Sequence, residues 1–187
     1  AGLKEPILYP LDLEGATPEN YQELQENLLN EFGKLDGLVH NASILGTQMP
    51  IEQYDIKLWY STIQINLNAP FMLTQFLIPA LLKSDDARII FLSSTVGRKA
   101  RAYWGAYSVS KFGIEGFSKT LSEELEKTQI SVNTVNPGKL RTEMRRTAYP
   151  AEDSSTVPLP EEKSQAIVHL LSSSSPKING EQLTLSD

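Results

Sequence analysis

In the stretch W-G-A-Y-S-V-S-K, residues 104–111, a tyrosine and a lysine stand four positions apart. On a helix that spacing puts Tyr107 and Lys111 on one face, a single turn apart. An ammonium beside a phenol favours the phenolate, so a tyrosine so placed could give and take protons near neutral pH. The same spacing fits an amphipathic helix with an ordinary surface lysine, and the motif alone does not separate the two readings. Other polar residues suited to ligand contact recur where apolar runs stop: Asp12, Asn41, Ser93 with Ser94, and Asn136. The chain has no cysteine, which removes disulfides, thiolate catalysis and cysteine-ligated zinc. Its two histidines, His40 and His169, lie far apart in sequence, so no metal site is expected.

Those residues need a scaffold. The run P-I-L-Y-P-L-D-L, residues 6–13, reads as a short strand ending in a turn. Thr17-Pro18-Glu19 supplies an N-cap, a first-turn proline and an early acid, and Tyr21, Leu24, Leu28 and Phe32 follow at helical spacing up to Gly33. L-D-G-L-V-H-N-A is a short apolar run ending on small and polar residues. A longer helical region takes in Leu58, Ile65 and Asn66 and continues through residues 71–83, with Pro79 expected to bend or weaken it. A-R-I-I-F-L-S-S, residues 87–94, and I-S-V-N-T-V-N-P-G, residues 130–138, have the pattern of buried strands. Between them runs the helix of Tyr107 and Lys111, continuing to about Glu126. Residues 141–160 show no period and read as a loop or mobile lid; a last helix over about 161–171 and a final strand near 182–185 close the chain.

Strands alternating with helices predict an α/β fold, a Rossmann-like doubly wound parallel sheet within a single domain over residues 1–187. In such a sheet ligands bind at the carboxyl ends of the strands, so the scattered polar residues above should open onto one edge. The net charge of -6 argues against nucleic acid as a partner. No apolar run approaches the roughly 18 residues of a membrane span and no signal-peptide pattern opens the sequence, so a membrane partner is not expected and the cytoplasm is the expected compartment.

Six ordered motifs carry a family resemblance: Asp12-Leu13, H-N-A-S at 40–43, I-N-L-N-A at 65–69, S-S-T-V-G at 93–97, Y-S-V-S-K at 107–111 and N-P-G-K-L-R-T at 136–142. In this order and spacing the sequence resembles the short-chain dehydrogenases/reductases over nearly its whole length. The resemblance implies an NAD(P)-dependent oxidoreductase acting on a small-molecule carbonyl or secondary alcohol, with NAD and NADP not distinguished. It implies a catalytic tetrad of Asn66, Ser94, Tyr107 and Lys111. Tyr107 would be the general acid or base, with its pKa lowered by Lys111, and Ser94 would hold the substrate oxygen. Asn66 would disturb its helix and hold a water relaying protons from Lys111. Tyr107 and Lys111 would also contact the cofactor, with Lys111 holding the nicotinamide ribose hydroxyls. Asp12 would lie by the adenine, with Leu13 beside it in the motif, and Asn41 and Ala42 along the adenosine ribose. Pro137, Gly138, Leu140 and Thr142 would flank the nicotinamide half. Ser43 departs from the family's N-A-G and puts a side chain beside the cofactor path. Homo-dimers or homo-tetramers through the helices at 69–83 and 105–126 are expected by the same resemblance.

Structural readings stand beside these. Asn41 and Asn66 could be caps or kinks, Ser93 and Ser94 could simply finish a strand, and His40 reads as a structural residue. Arg98, Lys99, Arg101, Arg141, Arg145 and Arg146 read as a solvated rim, with attraction of an anionic substrate as the lesser reading. A non-catalytic nucleotide-binding or scaffold relative is the alternative function. A serine hydrolase is disfavoured by the lack of G-x-S-x-G. Epimerase and dehydratase relatives share the Tyr-Lys pair but have longer C-terminal substrate regions. The sequence holds no T-G-x-x-x-G-x-G, the Gly-rich turn with which the family cradles a pyrophosphate. It is read as a fragment starting at the third strand, roughly 50–65 residues short at its start and clipped at its end. Alone it is expected to bind dinucleotide poorly and turn over little. The strand at 7–11 would then lack its neighbour, leaving an edge that pairs with another chain or a detached segment.

Overall fold

A computed structural model describes residues 6–185. Helix α1 (Pro18–Phe32) begins where the sequence signals it: the Asn20 side chain accepts the Thr17 backbone N–H, and Gly33 ends the helix in the left-handed region at φ 75°. Strand β1 (Gly37–His40) follows. The next helical region is continuous but not uniform. It runs as α2 (Ile56–Ile63), a π-helical turn over Gln64–Asn68, and α3 (Ala69–Leu81), with Pro79 in the last turn. Then come β2 (Ala87–Leu92), the long helix α4 (Gly105–Glu124), β3 (Ile130–Asn136), α5 (Glu143–Ala148), α6 (Pro160–Leu171) and β4 (Gln182–Thr184).

The four strands are parallel in the order β1-β2-β3-β4, with Val39 opposite Ile90 and Ile90 opposite Asn133. Period-two alternation separates the two faces of the sheet. Ala87, Ile89 and Phe91 of β2 pack with Ile114 and Leu121 of α4 and with Leu81 of α3 in the main core. Arg88, pointing the other way, donates to the Leu170 carbonyl of α6, so α6 covers the opposite face. Helices therefore lie on both sides of a parallel sheet, as an α/β doubly wound fold requires. Among the described residues no helix is long and apolar enough to cross a membrane.

Two expectations need correction. Residues 6–13 are not a strand. No described strand lies beside them, Pro6 and Pro10 have no N–H to offer a ladder, and Ile7 and Leu8 are 64% and 84% exposed. The segment instead ends in a turn at Asp12, whose carboxylate accepts the Glu14 N–H. The stretch 141–160 is not an unstructured loop. It carries α5 and a 3₁₀ turn at Ser154–Thr156, capped by Thr142 and Asp153, whose side chains accept the N–H groups of Arg145 and Ser155.

Candidate active site

Parallel strands put their carboxyl ends on one edge, and there β1 gives way to Asn41, β2 to Ser93-Ser94 and β3 to Pro137-Gly138. Helix α4 starts beside this edge and must approach it closely. At Gly105, φ 34°, an added Cβ would lie 2.3 Å from the Tyr54 ring. At Gly97, in the 3₁₀ turn after Ser94, an added Cβ would lie 2.8 Å from the Lys111 Cβ and 2.9 Å from its carbonyl carbon. These two glycines let α4 sit tightly enough to bring Tyr107 and Lys111 under the strand ends.

The pair is buried: Tyr107 is 7% and Lys111 4% exposed. Lys111 Nζ donates to the Leu92 carbonyl at 2.9 Å and lies 5.5 Å from the Tyr107 ring centroid. Loss of hydration pushes the Lys111 ammonium down to about 8, against the opposing pull of Glu115 one turn further along α4. The phenol moves the other way from the expectation. Burial raises the Tyr107 pKa, and the Ser94 hydroxyl offsets only part of that rise.

Ser94 Oγ accepts the Val96 N–H at 3.4 Å and faces Tyr107. Asn66 is 1% exposed, at the centre of the π turn. Its side chain exchanges two hydrogen bonds with the Ile44 backbone, both 2.8 Å, and donates to Ser110 Oγ at 3.1 Å; Ser110 in turn donates to the Tyr107 carbonyl at 2.8 Å. Asn66 thus ties the end of β1 to the helix that bears Tyr107.

A cavity of about 310 Å³ opens over this floor. Of the residues expected at the site, Asn41, Ser43, Ser94, Tyr107, Lys111, Pro137, Gly138, Leu140 and Thr142 line it. Asp12, Leu13, Ala42 and Asn66 do not. The Leu13 carbonyl accepts from Gln64 at 3.5 Å, near the start of the π turn. Trp104, Met144 and Tyr149 complete the walls without having been expected there. Met144 on α5, and Tyr149 just after it, could have been found from Thr142-Glu143, an N-cap followed by a first-turn acid. Two hydroxyls in the lining, Ser43 Oγ and Ser93 Oγ, are buried with no hydrogen-bond partner. A ligand with polar groups, such as a ribose and a carboxamide, suits such a place.

The other residues singled out have structural partners. His40 Nε2 donates to Thr74 Oγ1 at 2.9 Å, since that hydroxyl donates to the Pro70 carbonyl, and its ring stacks on Phe91 at 4.5 Å. Burial holds its pKa at about 3, so it stays neutral. Arg98 is no rim residue. It pairs with buried Glu115 at 2.7 Å and donates to Thr134, Thr184 and the Leu183 carbonyl, pinning β4 to β3 and α4. Among the described residues no group of three or more His, Asp or Glu could hold a metal ion.

A buried Tyr-Lys pair beneath the strand ends of a doubly wound sheet, with a serine facing the phenol, is the arrangement of a short-chain dehydrogenase. The family model of the short chain dehydrogenases matches residues 4–153, and the chain belongs to that family. It is 43% identical over 157 residues, 84% of its length, to the uncharacterized oxidoreductase YciK of Escherichia coli, and spans 62% of that relative's length. A short chain dehydrogenase from Pseudomonas syringae superposes with TM-score 0.93 at 47% identity, covering 96% of this chain and 73% of the other. One from Shigella flexneri, solved in complex with NADP, gives 0.93 at 40% identity, covering 97% and 75%.

Proposed function

We propose that the protein is an NAD(P)-dependent oxidoreductase that moves a hydride between a nicotinamide and the carbon of a carbonyl or secondary alcohol, with Tyr107 as the proton donor or acceptor. The observation that carries this reading is the cavity in which the phenol of Tyr107, the Ser94 hydroxyl and the desolvated Lys111 meet. NAD or NADP supplies the hydride; the NADP complex of the Shigella flexneri relative supports the second. Asn41, Ser43, Lys111, Pro137, Gly138, Leu140 and Thr142 would hold the dinucleotide. Asp12, Leu13 and Ala42 are assigned to its adenosine end.

In reduction, the substrate oxygen accepts hydrogen bonds from Ser94 and Tyr107, and the phenol proton passes to that oxygen as negative charge grows on it. A phenol held protonated by burial is suited to donate. With a pKa of about 8, Lys111 is protonated at neutral pH yet close enough to titration to hand a proton on. In oxidation the same atoms act in reverse. Asn66 is a positioning residue, because its side chain is spent on Ile44 and Ser110. Association into homo-oligomers through α3 and α4 is supported by the exposed Phe71, Val109 and Phe112 on these helices.

The test is a panel of aldehydes and ketones offered to the whole protein with NADH and with NADPH. Turnover with one of them is expected. Tyr107→Phe should lower kcat by about 10³ while calorimetry finds dinucleotide binding retained. A phenylalanine variant with normal turnover would show the assignment to be wrong.

A further inference from the structure

Next to the cavity over Tyr107 lies a larger one, about 660 Å³, on the side away from β1. The two meet at Ser94, Trp104, Gly138 and Tyr149, and the second extends to the ends of β3 and β4. Its lining contains Lys99, Arg101, Lys139 and Arg145 and, among the described residues, no aspartate or glutamate. In a chain of net charge -6 this is a local reversal of sign.

The structure sorts these cations. Arg145 is neutralised by a bidentate pair with Glu152, at 2.7 and 2.6 Å. Arg101 is held by aromatic faces: its guanidinium lies 5.7 Å from the Trp104 ring and 5.5 Å from the Tyr149 ring, and Nη1 donates to the Tyr149 hydroxyl at 2.6 Å. No carboxylate among the described residues pairs with it. Lys99 and Lys139 have no carboxylate within ion-pair distance among the described residues either, whereas the exposed Lys34 and Lys119 pair with Asp36 and Glu123. The one acid whose pKa Lys139 visibly lowers, Glu152, is already taken by Arg145. Three positive charges that pair with no carboxylate among the described residues therefore converge on a cavity that opens into the proposed reaction site.

We propose that this second cavity is a substrate subsite for an anionic group, a carboxylate or a phosphate, held by Lys99, Arg101 and Lys139 while the same molecule's carbonyl reaches Ser94 and Tyr107. The inference rests on the hydride-transfer reading and narrows it to anionic carbonyl compounds. The dinucleotide's own phosphates do not account for the site, because the adenosine end is assigned to the β1 side, across Ser94 from these cations. Arg101, held beside the Trp104 and Tyr149 rings and by the Tyr149 hydroxyl, offers a fork of donors, and the two lysines add charge.

Two measurements test it. The first compares kcat/KM in the whole protein for a keto acid and its methyl ester, and for a keto phosphate and its dephosphorylated parent. At least one anionic member should be preferred about tenfold or more, with the difference in KM and shrinking as salt is added. The pair that discriminates tells carboxylate from phosphate. In the double variant Lys99→Gln, Lys139→Gln the preference should fall to about one. The second titrates the chain with inorganic phosphate and follows backbone amides by NMR. Shifts at Lys99, Ala100, Gly138 and Lys139 are expected, and their loss in the double variant. Phosphate shifts without turnover of any carbonyl would keep the anion site and remove the hydride-transfer reading. Turnover with no discrimination in either pair would overturn the substrate claim and leave the chemistry at Tyr107 intact, whether or not phosphate moves the amides.

Discussion

The two walls of the reaction cavity hold their side chains by different means. The floor, from the ends of β1 and β2 and from α4, is dry at its reactive pair: Tyr107 and Lys111 are at most 7% exposed, Lys111 is tied to the Leu92 carbonyl, and Asn66, 1% exposed, braces α4 from outside the cavity. The cover, from residues 139–159, is held by polar contacts that are half-buried or exposed. Arg145 pairs with Glu152, Arg146 pairs with Glu143, and Arg141 donates to the carbonyls of Val157 and Ser155. Burial shifts pKa values and fixes geometry, so proton chemistry belongs on the floor. Exposed ion pairs are weak and salt-sensitive, so the cover can vary in shape without disturbing that chemistry.

If this contrast is right, changes in the floor should be felt in rate and changes in the cover in binding. The largest effect is expected for Lys111→Met. It should cut kcat by about 10²–10⁴ without lowering the melting temperature, because the variant removes a desolvated cation. A variant of normal rate would break the comparison at its strongest point. Next comes Gly97→Ala, whose methyl would meet Lys111 at 2.8 Å. Urea unfolding should show a loss of about 1–3 kcal/mol, together with a lower kcat.

Acid should act on the floor through His40. Its folded-state pKa of about 3 lies below the ordinary 6.5, so between these values the unfolded chain binds a proton that the folded chain refuses. Its contribution is complete above pH 6.5 and is lost as pH falls toward 3, at up to about 1.4 kcal/mol per unit. His40→Phe, which keeps an aromatic ring on Phe91, should flatten that part of the stability profile. The smallest effect belongs to the cover. Glu152→Gln should spare kcat and lower KM for an anionic carbonyl compound, because it frees the Arg145 guanidinium beside the second cavity, and added salt should weaken that gain in steady-state kinetics.

What could be read in the sequence follows the reach of the interactions involved. α1 is announced by Thr17-Pro18 and Gly33, β2 and β3 by compact apolar runs, and α4 by helical spacing, all signals carried within a few residues. The parallel order then follows, and with it the edge where Ser94, Tyr107 and Lys111 meet. Residues 6–13 failed as a strand because a strand exists only with a partner, and no local pattern supplies one. α5 was missed for a related reason. Six residues are too few to show a period, and the helix leans on distant contacts such as Tyr149 with Trp104, ring centroids 5.9 Å apart. Arg98 looked like a rim charge because its partners Glu115 and Thr184 lie 17 and 86 positions away. The direction of the Tyr107 shift was unreadable too, since Y-x-x-x-K shows that the ammonium is near but not that the phenol is buried.

Burial at the strand ends moves Lys111 into the range where it can exchange protons at physiological pH. An NMR titration of the lysine side-chain signals, with Lys111 identified by its loss in the Lys111→Met variant, measures that directly. A midpoint near 8 is the expected result. A midpoint at the ordinary lysine value of 10.5 would mean that the ammonium is hydrated and the floor is not dry.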